Sequence, residues 1–337
     1  MLALRKVERR AGALALVDQP VPKPGPEDVV LKVAACGVCG SDLHAYNDDP
    51  GYEFVRVPVT LGHEFAGIVT AVGERVSGWS AGQAACAIAI QGCGDCPGCR
   101  RGDTHLCSRR LVQGLHYDGG MAEYVRVPAR FLVPLPPSLD PVLGALVEPV
   151  SVALHAVFDR TRITPGDRVA VTGPGFIGLM CALAAWLCGA EVTVVGAPAD
   201  RDVRLRAAEA MGFRTAVADE QPLTGLLGGP ADVLIEASGS AAALGEALTA
   251  VRRGGQVTLV GLYARPASLF MTTAVRDELT LRGAYASSHP NYVRAIQLLE
   301  AGLLPVEPLL SRYALNRGQA AFEDALARRT LKPVLVP

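Results

Sequence analysis

From position 167 the chain alternates short apolar runs with longer amphipathic stretches. Residues 167–172, 191–195, 232–236 and 256–260 are compact β-branched runs, each read as a buried strand. Between them lie an apolar helix at 179–187 and two helices of Ala, Leu, Arg and Glu at 201–211 and 241–251. Alternating strand and helix predicts a parallel, doubly wound sheet. The earlier part of the chain has a different grammar. Residues 1–34 alternate apolar and polar positions, with a proline-rich break at 20–26 and a strand at 29–33. Residues 60–73 read as a turn followed by a strand, and the Gly, Pro and β-branched content predicts a mostly β domain. A helix at 143–158 joins the two regions. Beyond 285 the strand–helix rhythm stops. An amphipathic helix at 291–301 and a last strand at 333–336 are expected to return to the first domain. The reading is an α/β protein divided at 1–150, 151–285 and 286–337.

Composition narrows the partners. The chain has 337 residues, a formal charge of -1 and a hydrophobic fraction of 50%. No basic block tracks a nucleic-acid backbone, so no nucleic-acid partner is expected. The longest apolar runs, such as 179–188, are too short to span a bilayer, so no membrane partner is expected either. The first ten residues carry no apolar leader or cleavage signature, which predicts a cytoplasmic location. In that compartment nine cysteines suit metal binding better than disulfides.

Four of them lie close together. Cys93, Cys96, Cys99 and Cys107 are separated by two, two and seven residues, inside a lobe at 91–110. A tight loop with this spacing presents three thiolates to one tetrahedral ion, and the longer reach brings the fourth. With no open position, this is a structural zinc site that pins a lobe with little core of its own. His105 lies in the same loop and is expected at the surface.

A second constellation is chemical rather than structural. Cys39, Ser41, Asp42 and His44 fall within six residues, His63 and Glu64 follow, and Glu148 comes later. Cys, His and Glu with an open position form the ligand set of a catalytic zinc. Asp42 is read as a group behind the ligands, and Ser41 and His44 as carriers of a proton away from the metal. The third element is Gly173-Pro174-Gly175-Phe176-Ile177-Gly178 between a strand and a helix. Its glycines permit a tight turn and close approach of a pyrophosphate to the helix N-terminus.

Taken together, these motifs resemble the zinc-dependent medium-chain alcohol dehydrogenases, in their sorbitol and threonine dehydrogenase-like branch. The resemblance runs through C-G-S-D-L-H at 39–44, G-H-E at 62–64, the four-cysteine lobe, G-G-M-A-E-Y at 119–124, E-P-V-S-V-A-L-H-A at 148–156 and G-P-G-F-I-G at 173–178. It implies a GroES-like catalytic domain beside a Rossmann domain, two zinc ions per chain, and NAD or NADP. It implies that Cys39, His63 and either Glu64 or Glu148 bind the catalytic zinc, with Asp42 orienting His63. Cys36 is read as packing. The implied reaction passes a hydride from the carbinol carbon of a polyol, sugar, cyclitol or amino alcohol to the nicotinamide. The proton leaves through Ser41 and His44. A homo-oligomer, dimer or tetramer, is implied, with an edge strand at 279–283 able to pair across a two-fold axis.

The sequence departs from the pattern after the second strand of the dinucleotide-binding region. An acidic residue there usually grips the adenosine ribose, but this chain has Gly196, with Asp200 and Arg201 following late. Asp200 reaching the ribose, Arg201 or Arg204 meeting a 2′-phosphate, and a plain helix cap remain open. The alternative function is a non-catalytic zinc and nucleotide-binding protein that uses the four-cysteine lobe as an interaction module.

Overall fold

The computed structural model describes residues 1–218 and 221–337. The chain forms two compact units, Met1–Ser151 with Ser287–Pro337, and Val152–Ala286. Among the described residues, no helix is long and apolar enough to cross a membrane.

The first unit is organised around the strand Asp28–Gly37, whose Val29, Val30, Leu31, Val33, Ala35 and Cys36 are all buried. Glu64–Val72 pairs antiparallel along nearly its whole length, from Val29↔Val72 to Gly37↔Glu64. The other edge is shared. Tyr124–Pro128 covers Asp28 to Lys32, and the C-terminal strand Lys332–Val336 covers Cys36 and Gly37. This last pairing brings Lys332 beside Glu64. The strand Leu310–Ala314 continues the sheet parallel to Lys332–Val336. Most side chains on both faces of Asp28–Gly37 are buried, with Lys32 the exposed exception, so its sequence is a largely apolar run rather than a strict alternation. Beyond it, Cys39 starts the short helix Gly40–Asn47.

Among its described residues, the second unit holds a six-stranded parallel sheet. From edge to edge it runs Arg214–Val217, Glu191–Gly196, Arg168–Thr172, Ala231–Glu236, Val251–Leu259, Thr280–Gly283. Strand order reverses beside Arg168–Thr172, the switch point where doubly wound sheets bind ligands. Ala170, Val195, Leu234, Leu248, Val251 and Val257 form part of the core on this sheet. Residues 214–217 were not expected as a strand. They form an outer edge, with Arg214 exposed and the rest half-buried, so the sequence carries no apolar run there. The helix expected at 201–211 is segmented into a 3₁₀ turn Pro198–Asp200, a π turn Arg201–Leu205 and an α-helix Arg206–Ala210.

Candidate functional site

Cys39 sits at the N-cap of Gly40–Asn47, and its backbone N–H donates to Asp42 Oδ2 at 3.0 Å. The fully buried Asp42 turns its other oxygen, Oδ1, toward His63 Nδ1 at 3.5 Å. That separation exceeds a formed hydrogen bond, and neither atom has another hydrogen-bond partner. The hydrogen bond expected to orient His63 is therefore not formed, and the two groups stand only at ion-pair distance. Ser41 Oγ lies 3.2 Å from the opposite ring nitrogen, His63 Nε2. Burial alone would push the His63 ring toward neutrality, but Asp42 and the Cys39 sulfur hold its pKa well above the ordinary value. Cys36 is fully buried, and burial pushes its thiol far up, so it stays protonated and packs.

The two glutamates have different surroundings. Glu64 is 1% exposed and its carboxylate is taken by the Lys332 ammonium, which also donates to Val38 O at 3.2 Å. Glu148 is buried near the same groups, and no hydrogen bond to its carboxylate occurs among the described residues. Burial pushes its pKa up to about 7, against the opposing pull of His63 and Lys332. Cys39, His63 and Glu148 thus offer a thiol, an imidazole and a buried carboxyl, donor types that suit a divalent cation, although among the described residues only the lobe cysteines bring their ligand atoms within 4.8 Å of one another.

Lys332 was missed in the sequence because nothing in K-P-V-L-V signals a buried cation. Removing one partner of a buried ion pair strands the other, a loss of about 3–5 kcal/mol. Lys332→Met is expected to lose stability of this order in chemical denaturation, and adding Glu64→Gln to restore part of it. A single variant as stable as the parent would show that the pair holds nothing.

The four lobe sulfurs come together. All lie within 4.8 Å of one another, and Cys93 Sγ is 3.9 Å from Cys99 Sγ. A tetrahedral ion with Zn–S of about 2.3 Å spaces its sulfurs about 3.8 Å apart, whereas a disulfide would bring two to about 2 Å. Backbone N–H groups point at the sulfurs: Cys99 N donates to Cys96 Sγ at 3.5 Å, and Cys93 N to Cys107 Sγ at 3.4 Å. These contacts hold the Cys96 and Cys107 thiols below their ordinary range. The donor set and spacing fit zinc. His105, expected at the surface, is 4% exposed, because the 3₁₀ turn Thr104–Leu106 folds it inward.

In the second unit, Gly173 has φ +91, and a Cβ there would lie 2.6 Å from the Ser238 backbone. A Cβ on Gly178 would lie 1.9 Å from Gly173 O, while the space over Gly175 is open to 4 Å. Gly175 caps the helix Phe176–Leu187, with Phe176 buried and Ile177 half-buried at its start. An open approach to a helix N-terminus, framed by glycines that nothing larger can replace, fits a pyrophosphate. Pro174 packs against Gly196, where a Cβ would meet Pro174 Cγ at 2.8 Å. Asp200 is 4% exposed. Its Oδ2 accepts from Ala197 N at 3.0 Å, and its Oδ1 lies 3.3 Å from Arg204. Arg201 is exposed.

Tyr46 packs against Phe322 with ring centroids 5.3 Å apart and planes inclined by 36°. Tyr52, Phe54 and His116 continue a ring ladder that begins at His44.

Residues 25–137 match the alcohol dehydrogenase GroES-like domain, and residues 177–301 match the zinc-binding dehydrogenase family. The chain is 34% identical to a sorbitol dehydrogenase of Halalkalibacterium halodurans, over 100% of this chain and 99% of that one. It is 32% identical to an L-threonine 3-dehydrogenase of Coxiella burnetii, over 99% of each. A protein described as a zinc-binding dehydrogenase from Sinorhizobium meliloti, solved with NADP bound, superposes with a TM-score of 0.90 at 32% identity, covering 100% of this chain and 99% of that one. These relatives support a dehydrogenase rather than an interaction module. The chain therefore belongs to the zinc-dependent medium-chain dehydrogenases, in their polyol branch, and is an oxidoreductase that moves a hydride between an alcohol and NAD(P).

Proposed function

We propose that Cys39, His63 and Glu148 hold the catalytic zinc, and that Glu64 serves instead as the fixed counter-charge of Lys332. The observation that carries this is the contrast between the two carboxylates. Glu64 is neutralised by Lys332, whereas Glu148 is buried, unpaired and pushed up to about 7. Zinc bound there supplies Lewis acidity toward an alcohol oxygen. The chain's own residues do the rest. Asp42 braces the His63 ring from behind, and Ser41 stands beside it to take up the alcohol proton. His44, three residues on along the same helix, receives that proton nearer solvent. Cys93, Cys96, Cys99 and Cys107 hold the second zinc. The substrate is a small hydroxylated molecule of the polyol, cyclitol or amino-alcohol class, and the enzyme works in the cytoplasm as a homo-oligomer. Thr280–Gly283, an outer strand of the parallel sheet, is the edge suited to pair across a two-fold axis.

The preferred nucleotide is NADP. Asp200 is 4% exposed and holds its own turn and Arg204 with its two oxygens, so it faces away from a ribose diol in this reading. Arg201 stands exposed just after that turn and is the residue that would meet a 2′-phosphate. Nicotinamide absorbance over a panel of polyols, cyclitols, simple alcohols and threonine, run with both nucleotides, is expected to show zinc-dependent turnover favouring NADP. Arg201→Ala is expected to weaken NADP binding about tenfold or more by titration calorimetry and to leave NAD unchanged. Tighter binding of NAD by the parent enzyme would overturn the nucleotide assignment. No turnover with any alcohol from a zinc-loaded sample would overturn the substrate class.

A further inference from the structure

The helix Gly40–Asn47 ends at Asp48, whose left-handed φ of 58 turns the chain out of the helix. Asp49-Pro50-Gly51-Tyr52 follows. A proline second and a glycine third, here with φ +89, are the residues a type II turn requires. The turn is closed by Tyr52 N donating to Asp49 O at 3.2 Å. Its first residue is anchored as well, with Asp49 N donating to His44 O at 3.1 Å. Both ends of the turn consequently meet the same imidazole. Asp49 Oδ2 lies 2.7 Å from His44 Nδ1, and the Tyr52 ring stacks on the His44 ring with centroids 5.0 Å apart and planes inclined by 25°. Phe54 extends the stack beyond Tyr52, at 5.5 Å. The imidazole is thus held in position by a face contact and an edge contact from one short loop. His44 and Asp49 are each a little over a quarter exposed, so neither is sealed from water.

We infer that Asp49 is a positioning residue for proton release: it holds His44 in the tautomer that carries its proton on Nδ1 and leaves Nε2 bare as the accepting atom. The inference rests on the reading of His44 as a proton carrier. A carboxylate accepts and does not donate, so a neutral His44 bonded to Asp49 must place its hydrogen on Nδ1. The proton released when the alcohol is oxidised then adds to Nε2. The ring becomes imidazolium with its Nδ1–H still on Asp49, gives the Nε2 proton to water, and returns to the starting tautomer. Without the carboxylate, the ring is free to carry its hydrogen on Nε2, where it blocks the acceptor. Tyr52 keeps the ring plane fixed during the cycle.

The test is the tautomer itself, read from histidine ¹⁵N shifts of the zinc-loaded enzyme, with the His44 signals identified by their loss in His44→Ala. The neutral ring of the parent is expected to be protonated on Nδ1. Asp49→Asn keeps a residue that suits the turn, but its amide can donate to Nδ1. The variant is therefore expected to shift the ring toward the Nε2–H form. Its kcat is expected to fall about 10- to 100-fold, the range seen when a carboxylate behind a metal-bound histidine is removed, with nucleotide affinity unchanged. Asp49→Glu should recover part of the rate. A parent ring already protonated on Nε2 would overturn the inference. So would an Asp49→Asn enzyme at full rate while His44→Ala is slow, leaving the proton-carrier reading intact. Full rate in His44→Ala would overturn that reading, and this inference with it.

Discussion

Cys39→Ser is expected to fold normally, to carry one zinc per chain in place of two, and to turn over at least about a thousandfold more slowly. The fold should survive because position 39 is a helix cap. Serine is among the preferred residues there, and the bond from the backbone N–H to Asp42 does not involve the side chain. The volume change is small, and Ser41, Asp42 and His63 keep their places. What is lost is the soft, charged sulfur: a neutral hydroxyl holds zinc poorly beside one imidazole and one carboxylate. Metal analysis by mass spectrometry, melting temperature and steady-state rates separate these effects. Near-parental activity would remove Cys39 from the catalytic ligand set. Loss of both zinc ions together with a collapse in melting temperature would mean that the residue is structural.

The sequence announced most strongly what depends on local spacing. The four cysteines fall within fifteen residues, and the glycine cradle needs only a strand, a turn and a helix in order. Each closes on itself, so its residues meet whatever the distant chain does. The proposed choice between Glu64 and Glu148 has a different physical origin. It turns on Lys332, 268 positions from Glu64, and on the pairing of a C-terminal strand with Cys36 and Gly37. No local pattern encodes that contact. Asp200 was ambiguous for a related reason. The residues permit a ribose contact or a cap, and only the turn geometry shows its carboxylate aimed at Ala197 N and Arg204. Asp49 lies only five residues from His44, and a D-P-G turn soon after the helix that carries His44 was a readable sign that the chain doubles back onto the ring. His105 was misplaced because a polar residue in an exposed-looking loop was assigned to solvent, although the lobe packs around its sulfurs and carries that side chain inward.

That packing leads to the second large effect, in the lobe. Among residues 92–110, the side chains that are buried belong to Cys107 and His105. A segment with so little apolar surface inside cannot offset the entropy of ordering its backbone. The metal must supply the difference, as it does in small zinc-dependent folds. Cys96→Ser is therefore expected to lose the structural zinc, to open the lobe to proteolysis within 93–110, and to lower the melting temperature by roughly 10 °C or more. The choice of serine matters here too. Cys96 caps the short helix Pro97–Arg100 through its sulfur, and a serine hydroxyl can accept that same N–H. The substitution therefore removes a metal ligand while leaving a cap. Limited proteolysis with mass-spectrometric mapping of the cuts, beside a melting curve, reads the outcome. A variant that resists protease and melts with the parent would show that the lobe stands on its own hydrogen bonds, and that its four sulfurs are not there to hold it closed. If instead the lobe opens in Cys96→Ser and stays shut in Cys39→Ser, the two zinc sites do separate work: one maintains the fold, the other performs the chemistry.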